Sequence, residues 1–213
     1  MTKPVKRDYR SSLRAAQAQQ TRRSIVEAAA RLFVTEGYGA TTIDAVADAA
    51  GVSRKTVFTA VGGKLDLLKV AMDWAVAGDD EPVQLGERSE MRRLLDQDDP
   101  RMLLTDWVRL LVGIDTRVAA LSRVLEVAAG LEPQAALLGE QSQRQRLDGA
   151  RRIVKRLIAL DALQSGLTRR EAVDVAWLAT DTALFDRLVL VRGWSPSRFE
   201  AWLSAALCRQ LLG

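Results

Sequence analysis

Apolar residues recur at helical spacing along nearly the whole chain, and this periodicity is the strongest constraint on the fold. In the stretch "TRRSIVEAAARLFVTEGY" the stripe falls on Ile25, Ala28, Ala29, Leu32 and Phe33, at intervals of three and four residues. Such a stripe lies along one face of a helix. No convincing segment alternates apolar and polar residues as a half-buried strand does. The sequence therefore predicts an all-α fold.

Glycines and capping residues divide the N-terminal third into short helices. The first predicted helix ends near Gly37, where a residue able to adopt a left-handed turn terminates the stripe. Thr41, followed three residues later by Asp44, predicts a capping box for a second helix. Gly51 and the capping residue Ser53 then predict a tight turn into a third helix, "RKTVFTA".

Two short helices that cross steeply at a glycine turn have the geometry of a DNA-reading helix-turn-helix. Val46 and Val57 are predicted to lie in their shared interior, and Phe58 is predicted to pack against the first helix near Leu32 and Phe33. The polar residues left outside can donate to bases or phosphates. These candidate DNA-binding residues are Thr41, Thr42, Arg54, Lys55, Thr56, Thr59 and Lys64.

The charge of the chain is unevenly distributed. The net charge is +4, but residues 1–70 contain twelve Lys and Arg against six Asp and Glu, whereas residues 71–213 contain nineteen against twenty-one. A basic end on a slightly acidic remainder is typical of a protein whose one end meets a polyanion. A basic face that is merely solvated is the alternative from charge alone.

Several function classes are disfavoured by composition. The chain has no histidine, which removes the commonest general base and metal ligand, and its single cysteine, Cys208, allows no internal disulfide. We therefore expect no catalytic residue, no metal and no cofactor. The basic N-terminus lacks an apolar stretch, and no run reaches the length of a membrane helix. We expect a cytoplasmic protein without a membrane partner.

The segment "TRRSIVEAAARLFVTEGYGATTIDAVADAAGVSRKTVF", followed by "GGKLDLL", resembles the DNA-binding domain of TetR-family transcriptional regulators. The resemblance covers about residues 20–70. It implies that Thr42, Arg54, Lys55, Thr56 and Thr59 face DNA and that Lys64 holds a phosphate. This chain departs from the family where many members carry aromatics: Thr59, Ala60 and Val61 follow Phe58, and Lys55 stands where glycine is frequent.

The resemblance implies three segments and a function. Residues 1–19 would be a basic N-terminal tail, residues 20–66 the helix-turn-helix DNA-binding domain, and residues 67–213 a larger helical ligand-binding and dimerisation domain. We expect a ligand-responsive transcriptional regulator, a repressor rather than an activator. It would bind a palindromic double-stranded operator as a homodimer and be released by an unknown small-molecule effector.

Two further sets of residues are predicted in the C-terminal segment. Large residues together with polar residues inside apolar-periodic helices suit an effector cavity, and they are Trp107, Asp115, Thr116, Trp177, Asp181 and Phe185. An apolar stripe on the last helix is predicted to form the dimer interface, with the chain's own core as the alternative. This stripe consists of Phe199, Trp202, Leu203, Ala206 and Leu207.

Two rival functions remain open at the level of sequence. The helix-turn-helix could be an interaction module that does not bind a specific DNA sequence. The remainder could be a helical-bundle enzyme with an acidic site, for which Asp79-Asp80 and Asp98-Asp99 are the candidates. Both acidic pairs lie in predicted connections, and the absence of histidine makes the enzyme the weaker rival.

Overall fold

The structure is a computed structural model that describes residues 5–81 and 85–213, and the side chains of residues 13–81 and 86–213. Within these residues it contains ten α-helices and no β-strand, which confirms the predicted all-α fold. The helices are α1 (Val5–Ala40), α2 (Ile43–Ala50), α3 (Arg54–Ala60), α4 (Lys64–Ala77), α5 (Ser89–Leu95), α6 (Pro100–Leu131), α7 (Pro133–Ala159), α8 (Arg169–Ala179), α9 (Thr182–Phe185) and α10 (Pro196–Leu211). A 3-10 turn (Leu85–Glu87) precedes α5, and a π-helical segment (Asp186–Val191) follows α9.

The chain forms two compact units. Unit 1 comprises Met1–Asp73 and Arg123–Ala136, and unit 2 comprises Trp74–Ser122 and Leu137–Gly213. Unit 1 therefore contains the turn between α6 and α7 together with α1, α2, α3 and most of α4. The predicted boundary after residue 66 falls inside α4. The first four residues of the predicted tail lie outside the described residues, and α1 begins inside that tail, at Val5.

The helix-turn-helix of unit 1 is built around a small apolar interior. Phe33, Val46 and Val57 are fully buried, one each on α1, α2 and α3. Gly51 ends α2 in the left-handed region with φ of 67°, and its N–H bonds back to the carbonyls of Ala47 and Asp48. A residue with a side chain would be strained there. The predicted glycine turn is thus confirmed.

Capping residues begin the helices, with one correction to the sequence analysis. Ser53 caps α3 as predicted, because its hydroxyl accepts from the backbone N–H of Thr56 at 3.1 Å. The cap of α2 is Thr42, which accepts from the N–H of Ala45 at 3.1 Å. Thr41 was predicted to be the cap but is buried, and its hydroxyl donates to the carbonyl of Gly37 at 2.9 Å.

Unit 2 packs the long helices α6 and α7 against α8 and α10. Its core contains Leu103, Leu104 and Trp107 on α6, Ile153 on α7 and Phe199 on α10. A capping box at Thr168 and Glu171 begins α8, and Ser195 as the cap with Pro196 at the first helical position begins α10. No helix in the described part of the chain combines the length and the apolarity needed to cross a membrane.

Candidate functional site

One face of α3 is buried, and the other is a polar surface open to solvent. Val57 points into the interior of unit 1 and is the one buried residue of this seven-residue helix. Lys55 and Thr59 are exposed on the opposite face, and Arg54, three residues before Val57, is exposed beside the buried side. Thr56 is half-buried, and its hydroxyl oxygen lies 2.8 Å from that of Ser53. Four of the predicted DNA-binding residues are thereby brought together on one short helix.

A hydrogen bond from a side chain of α1 fixes the C-terminal end of α3. The Arg22 guanidinium donates from Nη1 to the carbonyl oxygen of Ala60 at 2.5 Å. Ala60 is the last residue of α3, where backbone carbonyls have no partner inside the helix. A charged donor at this end also interacts favourably with the helix dipole. Arg22 therefore contributes to the scaffold of the surface and not to its exposed face.

Arg54 contacts two side chains within unit 1, a carboxylate on α2 and an aromatic ring on α3. Its Nη1 donates to Oδ2 of Asp44 on α2 at 2.7 Å, and both side chains are more than half exposed. The guanidinium carbon lies 5.7 Å from the centre of the Phe58 ring. An exposed ion pair of this kind contributes little to stability, about 0–1 kcal/mol. Its main effect is to hold the guanidinium beside the ring.

Lys64, at the first position of α4, is the most constrained of the predicted cations. Its Nζ donates to the carbonyl of Gly39 at 3.2 Å and lies 4.4 Å from the centre of the Tyr38 ring. Burial lowers the pKa of Lys64, whereas the carboxylate of Glu132 opposes this shift. Burial also raises the pKa of Tyr38 to about 12, and Glu132 adds to the rise. The lysine is thus held against an aromatic ring at a helix start.

The two threonines before α2 differ in accessibility. Thr42 is exposed at the helix start, whereas Thr41 is 3% exposed and hydrogen-bonded to Gly37. The structure therefore leaves Thr42 on the surface and places Thr41, also predicted to bind DNA, in the interior.

A second cluster of charged groups lies inside unit 2. Asp115 on α6 is 4% exposed, and no hydrogen bond supports its carboxylate among the described residues. Its charge neighbours are Arg146 on α7 and Asp181, the capping residue of α9. Arg146 donates to the carbonyl of Thr180 at 3.0 Å and lies 3.4 Å from Oδ1 of Asp181. Because the Arg146 guanidinium already binds the oxygens of Thr180 and Asp181, it compensates the negative charge of Asp115 only in part.

This environment changes the acidity of Asp115. Burial raises the pKa of its carboxyl to about 7; Arg146 opposes the rise and Asp181 adds to it. A group of this kind changes charge near neutral pH, which is typical of functional sites but also occurs in structural networks. The indole Nε1 of Trp177, in the same unit, is buried without a hydrogen-bond partner in the described part.

The other predicted effector residues are distributed differently. Trp107 and Phe185 are buried in the core of unit 2, where the Phe185 and Phe199 rings meet edge to face at 5.4 Å. Thr116 is exposed, and its hydroxyl donates to the carbonyl of Val112 at 2.7 Å. The structure therefore brings Asp115 and Asp181 together and leaves Thr116 on the surface.

A cleft of about 700 Å³ lies elsewhere in unit 2, between the end of α4, α5 and α6. Arginines and carboxylates line it, including Arg88, Asp79 and Arg117. Arg88 is paired with both oxygens of Asp79, and Arg117 donates to the carbonyls of Ala75 and Val76. None of the six predicted effector residues lines this cleft.

The apolar stripe of α10 is divided between the core of unit 2 and the surface. Phe199, Leu203 and Leu207 are at most 4% exposed and belong to the core of unit 2. Trp202 is 39% exposed, and Ala206 is half-buried. Three of the five predicted interface residues thus pack inside their own chain, which was the alternative from sequence. Trp202 lies at the surface.

No group of metal-binding residues occurs in the parts of the chain that the structure describes. The acidic pairs have other partners: Asp79 is bound by Arg88, and Asp98 accepts from Arg156 at 2.8 Å.

The sequence of the helix-turn-helix domain matches the family described as bacterial regulatory proteins, tetR family, over residues 25–71. The helix-turn-helix domain thus belongs to the tetR family. SrpR of Pseudomonas putida, an HTH-type transcriptional regulator, is 40% identical over 58 residues, which are 27% of this chain and 27% of SrpR. TtgW, also of Pseudomonas putida, is 40% identical over 58 residues, or 27% of this chain and 43% of TtgW. The match spans less than half the length of either relative.

Solved TetR-family structures have the same fold along almost the entire chain. SmeT in complex with triclosan has a TM-score of 0.71 at 17% identity, covering 91% of this chain and 92% of that one. A regulator from Saccharomonospora viridis in complex with choline has a TM-score of 0.69 at 19% identity, covering 92% and 99%. At these identities the likeness establishes the fold. The relatives are named as regulators, which agrees with the prediction that the chain is not an enzyme.

Sequence reasoning misplaced one exposed residue of α3. Phe58 was predicted to pack against Leu32 and Phe33, but it is 48% exposed on α3. It follows the buried Val57 directly, and neighbouring helix positions are rotated by about 100° from each other. That spacing was the available signal, because Val57 and Phe58 cannot both point into so narrow an interior.

Replacing Asp115 with asparagine is expected to make the free energy of unfolding less sensitive to a rise in pH. The pKa of Asp115 is raised from 3.8 to about 7 in the folded chain, so the folded state retains a proton that the unfolded state has released. Stability from this proton is lost as the pH rises through about 7. Between about pH 5 and pH 8, wild type should lose on the order of 2 kcal/mol relative to Asp115→Asn. Urea unfolding at both pH values measures this difference.

The matched control is Asp174→Asn, which removes an exposed carboxylate from α8. It is expected to follow wild type at both pH values. An unfolding free-energy difference between wild type and Asp115→Asn that stays constant with pH would contradict the interpretation of Asp115 as a buried, uncompensated acid.

Proposed function

We propose that the protein is a ligand-responsive transcriptional repressor that binds a palindromic operator as a homodimer and is released by a small molecule. The observation that carries this proposal is the exposed surface of α3, where Arg54, Lys55 and Thr59 are open to solvent while Val57 is buried, inside a TetR-family domain. A short polar helix in this position has the geometry that enters the major groove.

The proposed contacts divide into two classes. Arg54 would donate to base edges, Lys55 would donate to a phosphate, and Thr56 and Thr59 would bind bases or phosphates from the same helix. Thr42 and Lys64 lie at the starts of α2 and α4, where free N–H groups attract a phosphate. Contacts to phosphates set affinity and its salt dependence, whereas contacts to bases set the sequence that is read.

Lys55→Gln is expected to weaken operator binding and to reduce its salt dependence. Lys55 is exposed on α3 and has no ion-pair partner among the described residues. Each neutralised phosphate contributes about −0.9 to the slope of log K against log salt. A lysine bound to a phosphate should therefore lower the magnitude of that slope by about one when it is removed. DNA sequences selected from a random pool with the wild-type chain provide the operator for mobility-shift titrations at several salt concentrations.

Lys155→Gln is the matched control, because Lys155 is also exposed but lies on α7 in unit 2. It is expected to leave the affinity and the slope unchanged. Equal effects of the two variants would indicate a general loss of positive charge and would count against α3 as the DNA-binding helix. Failure to select any sequence would instead favour the interaction-module rival.

The homodimer is proposed to form through the exposed apolar residues near the C-terminus. Leu178, Leu190 and Val191 are each at least half exposed, and Trp202 is 39% exposed. Large exposed apolar side chains that recur within one region mark interaction surfaces. A two-fold dimer would present two copies of α3 to half-sites about one DNA turn apart, ~34 Å.

Leu178→Glu is expected to convert the dimer to a monomer and to abolish tight operator binding, because a carboxylate would be buried at the interface without a partner. Sedimentation velocity measures the mass in solution. Leu137→Glu is the matched control, since Leu137 is 59% exposed and Leu178 is 58% exposed. A Leu178→Glu chain that remains dimeric would exclude α8 from the interface.

The effector is proposed to bind at the Asp115 cluster and to carry a cationic or hydrogen-bond-donating group. Asp115 is a buried carboxylate that lacks a hydrogen-bond donor in the described residues, and Trp177 adds an aromatic surface with an unpartnered N–H. The choline bound by the Saccharomonospora viridis regulator is a cation of this class. Differential binding of an effector to two conformations typically changes DNA affinity through ~1–3 kcal/mol of coupling.

A cationic effector is expected to bind more tightly as the pH rises towards 7, because it requires the ionised form of Asp115. Below this pH, the affinity should increase by up to about ten-fold per pH unit, and it should level off above it. Thermal-shift titrations with choline and other small amines, each paired with a neutral analogue, measure this dependence. Asp115→Asn should remove both the binding and its pH dependence. Stronger stabilisation by the neutral analogues would contradict this assignment.

A further inference from the structure

The exposed face of α3 carries one large apolar side chain among its charged and polar residues. Phe58 is 48% exposed, although Val57, the buried residue beside it, already attaches α3 to the interior. Single exposed apolar residues are common on protein surfaces and need no explanation by themselves. Phe58 differs because it lies on the face proposed to enter the major groove, between residues proposed to contact bases.

The ring of Phe58 lies beside the guanidinium of Arg54, which is in turn bound by the carboxylate of Asp44. The Arg54 guanidinium carbon lies 5.7 Å from the ring centre, and the same guanidinium donates to Asp44 at 2.7 Å. Residues 54 and 58 are four apart on a helix, so they lie on the same side of α3. The phenyl ring and the guanidinium therefore form one continuous patch, half apolar and half cationic.

A phenyl ring has few complementary groups in the major groove. It can neither donate nor accept a hydrogen bond, so it cannot pair with phosphate oxygens or with the polar edges of bases. The major groove displays acceptors, amino donors and one apolar group, the C5-methyl of thymine. Contact with that methyl group removes apolar surface of both partners from water.

We propose that Phe58 reads a thymine in each operator half-site through the C5-methyl group of that base. This inference rests on the proposed function and adds the base type that one residue selects. Arg54, in the same patch, donates to an acceptor of the adjacent base pair while the ring covers the methyl group. Burying one methyl group corresponds to roughly a four-fold gain in affinity, or about 15-fold for two equivalent half-sites.

The test replaces thymine by deoxyuridine, which removes only the methyl group. The full chain first selects its operator from random DNA, and each thymine of the selected operator is then replaced in both half-sites at once. Wild type is expected to lose about 15-fold in affinity at one symmetric pair of thymines. Phe58→Ala should bind the thymine operator at least as weakly as wild type binds the deoxyuridine operator, and it should not distinguish the two.

Two further variants separate recognition from folding. Phe58→Leu retains an apolar surface, so it should keep part of the sensitivity to the methyl group. Val34→Ala is the matched control, because Val34 and Phe58 are each 48% exposed and Val34 lies on α1. Val34→Ala should retain the full discrimination of wild type, about 15-fold. The salt dependence should be the same for wild type and Phe58→Ala, since Phe58 contacts no phosphate.

Two results would overturn the assignment: wild-type binding that is insensitive to deoxyuridine at every position, or a Phe58→Ala chain that keeps the full sensitivity to the methyl group. A selected operator without thymine in its half-sites would also overturn it. Salt-dependent binding to a selected operator persists in all these cases, so the proposed function would survive. If no operator can be selected, the proposed function fails and this inference fails with it.

Discussion

The buried contact between α2 and α3 is the constraint on which the exposed surface of unit 1 depends. Val46 and Val57 are both inaccessible to solvent, and Ala47 between the helices is small enough to let them approach. Because Val57 faces inward, the rotation of α3 about its axis is fixed, and each other residue of the helix has a set direction. Gly51 makes the contact possible, since its left-handed backbone turns the chain within a few residues. Arg22 then fixes the far end of the helix.

The charged residues of α3 in unit 1 are exposed, whereas unit 2 buries a charged residue, Asp115. In unit 1 the cations of α3 lie at the surface, where water solvates them and their contribution to folding is small. In unit 2 Asp115 lies inside the protein with incomplete compensation by Arg146. Burial of a carboxylate is unfavourable unless it is paired or protonated. Unit 2 therefore contains a group that destabilises its own fold at neutral pH.

The sequence predicted the elements well because their ends are marked by local chemistry. The left-handed glycine at 51 and the Ser53 cap each depend on residues within three or four positions of one another. The errors arose where local chemistry is ambiguous. Thr41 and Thr42 have identical side chains, and it is the burial of Thr41, with its hydroxyl bonded four residues back to the carbonyl of Gly37, that leaves the second as the cap.

The direction in which a side chain points and the residue that it pairs with were harder to predict than whether a segment is a helix. Periodicity assigned an apolar stripe to α10, but it could not tell whether Leu203 and Leu207 pack inside their own chain or against a second one. The ion pair between Asp44 and Arg54 joins two helices across a turn, so no spacing rule on a single helix indicates it. Under the proposed function, this pair would affect how α3 discriminates among DNA sequences. A DNA acceptor that needs the Nη1 group of Arg54 would have to compete with the Asp44 carboxylate that is already bound to it. Random DNA gains little from that exchange, whereas a base with two well-placed acceptors gains more, so an internal carboxylate can sharpen selectivity without touching the nucleic acid.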